Sequence, residues 1–422
     1  MKPATPAEAL ARFLALSPST IKLGLDRVRS ALTALRNPEA KFPAVHVAGT
    51  NGKGSTCAFV ATCLAAHGYR VGLYTSPHLV KVNERFKING EDISDELLSQ
   101  RLFEIYQQLP EGLELTGFEV GTLVALWHFA QERVDVAVLE TGLGGRLDAT
   151  TAARAVVTAI TPISFDHTEL LGSTLSAIAF EKAGILRAGV PVVVARQERQ
   201  ALEVIEREAR NQGARLFLEG RDFRFEPEPT GGRYVYRGMR TSVPRLWPGL
   251  RGAHQVQNAA VALAILELLE DRALPISQES ARAGLAETEW PARLEDLGGT
   301  PRVVLDGAHN PAGAQVLAAA LDTVYPGQDV HLVFGVLGDK DYRPMLRTLF
   351  PKATAVYLSP VSSPRSLDPA QYVDEARTLC PNVTTHPSAH AALAAAQAAA
   401  GKGVVVCAGS LYFVGQLRDL LT

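Results

Sequence analysis

The segment Val45-His-Val-Ala-Gly49-Thr-Asn-Gly-Lys53-Gly-Ser-Thr56 joins an apolar run to nearby glycines, a lysine and hydroxyl side chains, and a helix-like stretch follows it. Glycine lets the backbone turn its N–H groups onto a bound anion, and a helix start adds partial positive charge. Lys53 can then reach β/γ-phosphate oxygens, and a hydroxyl can face Mg²⁺. Two positions depart from the plain P-loop pattern: Gly54 stands where Ser or Thr should follow Lys53, and position 47 is Val rather than Gly. A glycine-rich turn without a ligand is the competing reading of this spacing. The segment is read as a nucleoside triphosphate site.

Short β-rich runs alternate with Ala/Leu-rich helical stretches over most of the chain. Phe42–Ala48, Val134–Glu140, Ala155–Ile160 and Val190–Ala195 read as buried strands, with helices around Ser55–His67 and Ser173–Arg187. This alternation predicts an α/β fold with a mostly parallel sheet and helices on both faces. Arg221–Leu246 changes character and reads as an inserted antiparallel hairpin region before a helix at Gln255–Glu270. A second series follows, with strands expected at Val303–Asp306, Val330–Gly335, Ala353–Leu358 and Val404–Ala408. At 422 residues the chain exceeds what one core normally serves. The boundary is placed near Ala286–Trp290, giving a larger nucleotide-binding domain at 1–288 and a smaller α/β domain at 289–422. Ala391–Ala400 is expected to be a helix packed closely on the sheet rather than a low-complexity tail.

A formal net charge of −2, with basic residues scattered rather than banked, argues against nucleic acid and against a membrane surface. Cys57, Cys63, Cys380 and Cys407 show no metal-ligand spacing and read as structural thiols of a reducing cytoplasm. The Met1-Lys-Pro-Ala-Thr-Pro start lacks the apolar core of a signal peptide, and no uninterrupted apolar stretch is long enough to span a bilayer.

Polar groups recur at strand ends, where open α/β sheets place their ligands. Glu140 follows Val134–Leu139, Asp166-His167 follows Ala159–Phe165, and Ser76-Pro-His78 follows Gly72–Thr75. Each can equally be a turn or cap residue; their convergence on one sheet edge favours a Mg²⁺ that keeps waters and phosphate oxygens. Lys182, taken alone, reads as a solvated helical lysine beside Glu181. In the second half, Asp306-Gly-Ala-His309-Asn310, Gly338-Asp-Lys-Asp341 and Gly409-Ser410-Leu-Tyr412 suggest a second ligand-facing rim, looking toward the first domain across a cleft.

Taken together, these segments resemble one family: folylpolyglutamate synthase/dihydrofolate synthase, within the Mur ligase superfamily of ATP-dependent amide-forming enzymes. The resemblance runs in order through Leu23-Gly-Leu-Asp-Arg27, Gly49–Ser55, Ser76-Pro-His-Leu79, Glu84-Arg85 with Ile88-Asn-Gly90, and Leu139–Asp148. It continues through Asp166-His-Thr168, Glu181-Lys-Ala-Gly184, Asn258, Trp290–Glu295, Leu305–Pro311 and Gly409-Ser-Leu411. It implies an N-terminal P-loop domain and a C-terminal Rossmann-like domain with ATP held between them. By that resemblance Thr50, Asn51, Gly52, Lys53, Gly54 and Ser55 wrap the triphosphate, and Asn258, Arg293 and Asp306 contact ATP from the domain junction and second domain. Ser76, Glu140 and His167 match the family's magnesium ligands, with two ions expected, and Lys182 matches a lysine carried as a carbamate. Gly24, Leu25, Phe118, Leu147 and Asp148 match positions lining the pterin–benzoate pocket. His309 is expected to help neutralise the moving phosphoryl, and Ser410 to serve glutamate.

The sequence departs from the family pattern at three places: Pro291-Ala292-Arg293 replaces Pro-Gly-Arg, Thr151 stands where Asn is common, and Phe165 where a smaller residue is common. The implied reaction joins L-glutamate to dihydropteroate or a folate through an acyl phosphate, in a cytoplasmic monomer acting on small molecules. A cell-wall Mur ligase acting on a UDP-sugar peptide is the enzymatic rival; Ser76–Leu79 and Leu23–Arg27 argue against it, as does the lack of an added N-terminal UDP-binding domain. A P-loop switch that hydrolyses without ligating is the rival from another class, and no Asn-Lys-x-Asp guanine motif supports it.

Overall fold

The computed structural model describes residues 2–16, 22, 24–229 and 231–422. Leu23, the first residue of the Leu23–Arg27 motif, and Met1 lie outside the described residues. The chain divides into two compact units: Met1–His78, Val82–Gly249 and Val256–Thr288 form the first, and Leu79–Lys81, Leu250–Gln255 and Glu289–Thr422 the second.

The first unit is built on eight strands: β1 (Ala44–Ala48), β2 (Val71–Tyr74), β3 (Phe86–Ile88), β4 (Glu91–Asp92), β5 (Val136–Glu140), β6 (Ala155–Ile160), β7 (Val192–Val194) and β8 (Leu216–Leu218). Their order is β4-β3-β2-β5-β1-β6-β7-β8. From β2 to β8 every pairing is parallel, and β3 and β4 add an antiparallel edge. Parallel strands are covered on both faces, so they run largely apolar; β1 and β5 are buried at every position, with His46 and Glu140 their polar residues. The helix Lys53–Ala66 packs on β1, β2 and β5, and Gly117–Gln131 packs on β2. Both are apolar nearly all round, which suits helices sunk in a core rather than lying on a surface. The second of them starts at a capping box made by Thr116 and Glu119, and buried Glu119 is paired with Arg27 at 2.8 Å.

The 221–246 region is more than the expected hairpin. It forms a three-stranded antiparallel sheet of β9 (Arg224–Pro227), β10 (Tyr234–Arg237) and β11 (Ser242–Leu246). Glu267, buried on the helix Ala253–Leu269, ties this sheet down: it accepts from the Tyr236 hydroxyl at 3.0 Å, the Met239 N–H at 3.0 Å and the Thr241 N–H at 3.1 Å, and also from the Arg240 N–H.

In the second unit β12 (Glu295–Gly298), β13 (Arg302–Leu305), β14 (Val330–Phe334), β15 (Ala355–Leu358), β16 (Val383–Thr385) and β17 (Val404–Ala408) are ordered β12-β13-β17-β14-β15-β16. All pairings are parallel except β12 with β13. The alanine-rich segment is the helix Ala389–Ala400, and buried Ala392, Ala396 and Ala400 let it approach β14, β15 and β17 closely. Among the described residues no helix is long and apolar enough to cross a membrane.

Candidate active site

β1 delivers the glycine-rich turn to the carboxyl edge of the first sheet. Gly49 has φ +148, and a Cβ there would lie 1.8 Å from the Thr161 hydroxyl, so only glycine lets the turn pass β6. Gly52 has φ +84 and caps the helix Lys53–Ala66; a Cβ on it would lie 2.4 Å from Asn258 Oδ1. Left-handed backbone at that point turns the N–H groups of Lys53, Gly54 and Ser55 outward at a helix start, the arrangement that binds anions. The turn is braced from β6: the Thr50 and Asn51 N–H groups donate to Pro162 O at 3.0 and 3.3 Å, and Thr50 Oγ1 donates to Ser164 O at 3.1 Å.

Lys53 Nζ donates to Thr50 O at 3.1 Å and lies 3.9 Å from Glu140 Oε1. Glu140 ends β5, next to β1, and its Oε2 accepts from the Ser76 N–H at 3.1 Å. Thus Lys53, Glu140 and the Ser76 turn are brought together. That turn is held from behind, where Arg85 Nε donates to His78 Nδ1 at 2.9 Å. Burial and the Arg85 charge push His78 down to about 4, so its ring is neutral at pH 7.

Lys182 is not the solvated lysine its immediate neighbours suggest. It is 5% exposed, and its Nζ donates to Gly49 O at 2.7 Å. Burial first, and Lys53 second, pull its pKa from 10.5 to about 7, with Asp166 and Asp148 opposing. His167 has φ +51 and precedes the short helix Thr168–Leu171; its ring is 41% exposed and 3.8 Å from Asp166 Oδ1. Among the described residues no group of three or more His, Cys, Asp and Glu gathers as a metal cluster. The expected donors include only one carboxylate and one imidazole, beside a serine and a modified lysine. Two buried hydroxyls here, Thr56 in the first turn after Ser55 and Thr141 after Glu140, have no hydrogen-bond partner.

The expected acceptor-pocket residues lie on three segments. Gly24, with φ +122, and Leu25 precede the helix Asp26–Ala34. Phe118 lies on Gly117–Gln131, and a Cβ on Gly142 would lie 2.4 Å from its ring. Leu147 is half-buried and Asp148 buried. The Asp148 carboxylate accepts from the Leu143 N–H at 2.9 Å, the Thr150 N–H at 3.0 Å and the Thr150 hydroxyl at 2.5 Å. Burial nevertheless raises its pKa. His46, in the middle of β1, contacts the same Thr150 hydroxyl through Nε2 at 2.8 Å, a link that sequence reasoning did not find. A histidine inside an otherwise apolar strand was the available signal. At the departures, Thr151 Oγ1 donates to Gly145 O at 2.6 Å and Phe165 is half exposed.

In the second unit Asp306 directly follows β13 and is buried. Its carboxylate accepts from the Leu294 N–H at 3.0 Å and the Ala308 N–H at 2.9 Å, and burial raises its pKa against the pull of Arg293. Arg293 Nη1 donates to Ala292 O at 2.9 Å, and Gly307 leaves room for the guanidinium: a Cβ there would lie 2.3 Å from Nη1. Ala292 adopts φ +56, so alanine carries a left-handed turn that glycine would adopt freely. His309 Nδ1 lies 2.8 Å from Gly307 O, and Ser410 is buried at the start of the helix Leu411–Leu421. Arg293, Asp306 and His309 therefore share one turn system, with Ser410 following β17, the strand next to β13. Asn258 belongs instead to the first unit, beside Gly52.

A glycine-rich turn at the end of a parallel strand, followed in the chain by a second α/β unit with charged strand ends, is the build of a Mur-type ligase. Residues 47–266 match the Mur ligase middle domain, and residues 292–411 match the Mur ligase glutamate ligase domain. The chain belongs to the dihydrofolate synthase/folylpolyglutamate synthase family, and it is an ATP-dependent ligase. It is 36% identical over 413 residues to the dihydrofolate synthase/folylpolyglutamate synthase of Bacillus subtilis, covering 95% of each chain. It superposes on Escherichia coli FolC in complex with DHPP and ADP with a TM-score of 0.89 at 33% identity, covering 99% of this chain and 98% of that one. The Yersinia pestis bifunctional enzyme complexed with AMPPNP and Mn ion gives a TM-score of 0.89 at 34% identity, with the same two coverages.

Proposed function

We propose that the Thr50–Ser55 turn holds the triphosphate of ATP, with Asn258 beside it, and that Lys53 neutralises the phosphoryl group in transfer. The observation that carries this is the position of Lys53, drawn over Gly52 toward Thr50 O and Glu140 at the end of β1 and β5. Left-handed glycine, a helix start and two unpartnered hydroxyls are the features a bound polyphosphate satisfies. Magnesium, as two ions held by Ser76, Glu140, His167 and a carbamylated Lys182, would supply charge neutralisation to the phosphate oxygens. The lowered pKa of Lys182 supports the modification, because the neutral amine is the form that adds CO₂.

The acceptor is a dihydropteroate or a folate seated against Gly24, Leu25, Phe118, Leu147 and Asp148. Its carboxylate oxygen attacks the γ-phosphorus, ADP leaves, and the resulting acyl phosphate is attacked by the amine of L-glutamate. Phosphate departs, the amine loses a proton, and an amide remains. The protein aligns these groups and neutralises charge. In the second unit Arg293 and Asp306 are assigned to ATP, and His309 and Ser410 to the phosphoryl and the incoming glutamate. The reading takes the protein as a cytoplasmic monomer that works on small molecules, without nucleic acid or membrane as partner.

The test is Lys53→Ala. Glutamate-dependent ADP release should fall by about 10²–10³, the usual loss for one preorganised charge contact, while circular dichroism and melting stay unchanged. Unchanged turnover would remove the site. Dihydropteroate and a reduced folate, offered separately and weighed by mass spectrometry, assign the acceptor; turnover with UDP-muramyl substrates instead would replace this reading.

A further inference from the structure

The first unit contains a cavity of about 650 Å³ bounded by the helix Asp26–Ala34, the Asn37–Glu39 turn, Arg146–Ala153 and Gly184–Arg187. Of the residues assigned above to ATP, metal or acceptor, only Leu25 reaches it. Three guanidinium groups line it, those of Arg29, Arg146 and Arg187, with Thr33 and Asn37 adding neutral polar groups and Glu39 a carboxylate. Only Arg146 is neutralised, by Glu181 at 2.8 Å. Arg187 donates to carbonyls alone: Gly184 O at 3.0 Å, Leu186 O at 2.9 Å and Thr151 O at 3.1 Å.

Among the described residues no carboxylate pairs with Arg29, which is exposed on its helix. Glu39 is the one carboxylate in the lining; one of its oxygens is buried without a partner, and burial raises its pKa. The positive charge on Arg187 is disfavoured by burial and by the nearby Arg29. Two cations close together, with a single carboxylate in the lining they share with a third guanidinium, are further relieved by a bound anion. The planar guanidinium fork is shaped for carboxylate or phosphate. Cavities of roughly 300–1,000 Å³ take whole small molecules, so this one is large for a single inorganic ion.

The floor of the cavity also reaches the acceptor segment. Arg187 holds Thr151 O, and the adjacent Thr150 holds both Asp148 and His46. We propose that this cavity is an anion site for a small ligand bearing two or more carboxylate or phosphate groups, and that its occupancy steadies the Asp148–Thr151 turn. A γ-linked oligoglutamate and an oligophosphate both have this chemistry. Only the coupling to Asp148 rests on the folate reading; the binding itself does not.

The test is calorimetric titration of the full chain with tri-γ-glutamate and, separately, with pyrophosphate. Saturating ADP and excess Mg²⁺ keep the phosphate turn filled. At least one probe should bind, more weakly as salt rises from about 50 to 300 mM. Arg29→Glu should weaken that binding tenfold or more, and Arg29→Ser less, with ADP affinity held within twofold. Binding of tri-γ-glutamate alone assigns the carboxylate ligand, and binding of pyrophosphate alone the phosphate ligand. No binding of either probe at about 10 mM, which corresponds to less than ~3 kcal/mol, or binding that Arg29→Glu leaves intact, overturns the site. A bound probe should lower the KM for dihydropteroate with little change in kcat; an unchanged KM overturns the coupling. Since binding is read without turnover, a protein that ignored dihydropteroate would still answer the first question.

Discussion

Lys182 should take up carbon dioxide at neutral pH under conditions where an ordinary lysine does not. Burial and the neighbouring Lys53 bring its pKa from 10.5 to about 7. At pH 7.5 about three quarters of such amines are neutral, against about one in a thousand for an unperturbed lysine, a roughly 10³-fold gain in the reactive form. The neutral nitrogen attacks CO₂, one proton leaves, and an anionic carbamate replaces a cation. The product is favoured for the reason the cation is disfavoured: beside Lys53, a like-charge contact becomes an opposite-charge one. The assay is carbon-13 NMR of the protein in labelled bicarbonate between pH 6 and 8.5. A carbamate resonance should grow in through pH 7 and be absent from Lys182→Arg and Lys182→Ala. Lys182→Ala should be impaired in ligation and partly rescued by short carboxylic acids, which replace the missing anion. A parent protein without the resonance, a Lys182→Arg variant that keeps it, or a fully active Lys182→Ala variant would each refute the reasoning.

Other substitutions probe different parts of the fold. Gly52→Ala combines a left-handed backbone at φ +84 with a Cβ 2.4 Å from Asn258 Oδ1; the backbone term alone is about 1–2 kcal/mol. Fluorescent ADP titration should show at least tenfold weaker binding, and parental affinity would mean the turn does not hold the phosphates. Ala292→Gly relieves the φ +56 strain and should raise stability by up to about 1 kcal/mol, offset in part by the freer unfolded chain; a lower urea midpoint contradicts it. Burial brings His46 to about 3 and His128 and His254 to about 4, below the usual 6.5. The unfolded chain therefore binds more protons than the folded one between about pH 6.5 and 3–4, so the stability is full above 6.5 and is lost as pH falls through that window. Urea midpoints at pH 7, 5.5 and 4.5 should fall in that order, and His46→Gln should flatten the trend; a level midpoint would show that these rings are not held neutral.

The strands that carry the site were legible because parallel strands covered on both faces run largely apolar, as in Val136–Leu139 and, His46 apart, Val45–Ala48. The glycine-rich turn was legible because a left-handed, tightly passed backbone leaves no alternative to glycine at positions 49 and 52. The 221–246 region was read only as a hairpin, since the turn leading into its third strand is held by Glu267 from a distant helix. Arg187 and His46 escaped notice because their partners, Thr151 and Thr150, come from other segments of the chain.

Local sequence thus determined the sheet, the turn and the order of chemical groups along the chain, because periodicity and backbone freedom are properties of a few neighbouring residues. Tertiary structure alone decided what those groups became. Glu181-Lys182 looks like a solvated helical pair until the helix Leu175–Ala183 presses Lys182 against Gly49 O. Burial and nearby charge, which no local stretch encodes, then turn an ordinary ammonium into an amine that titrates near neutrality.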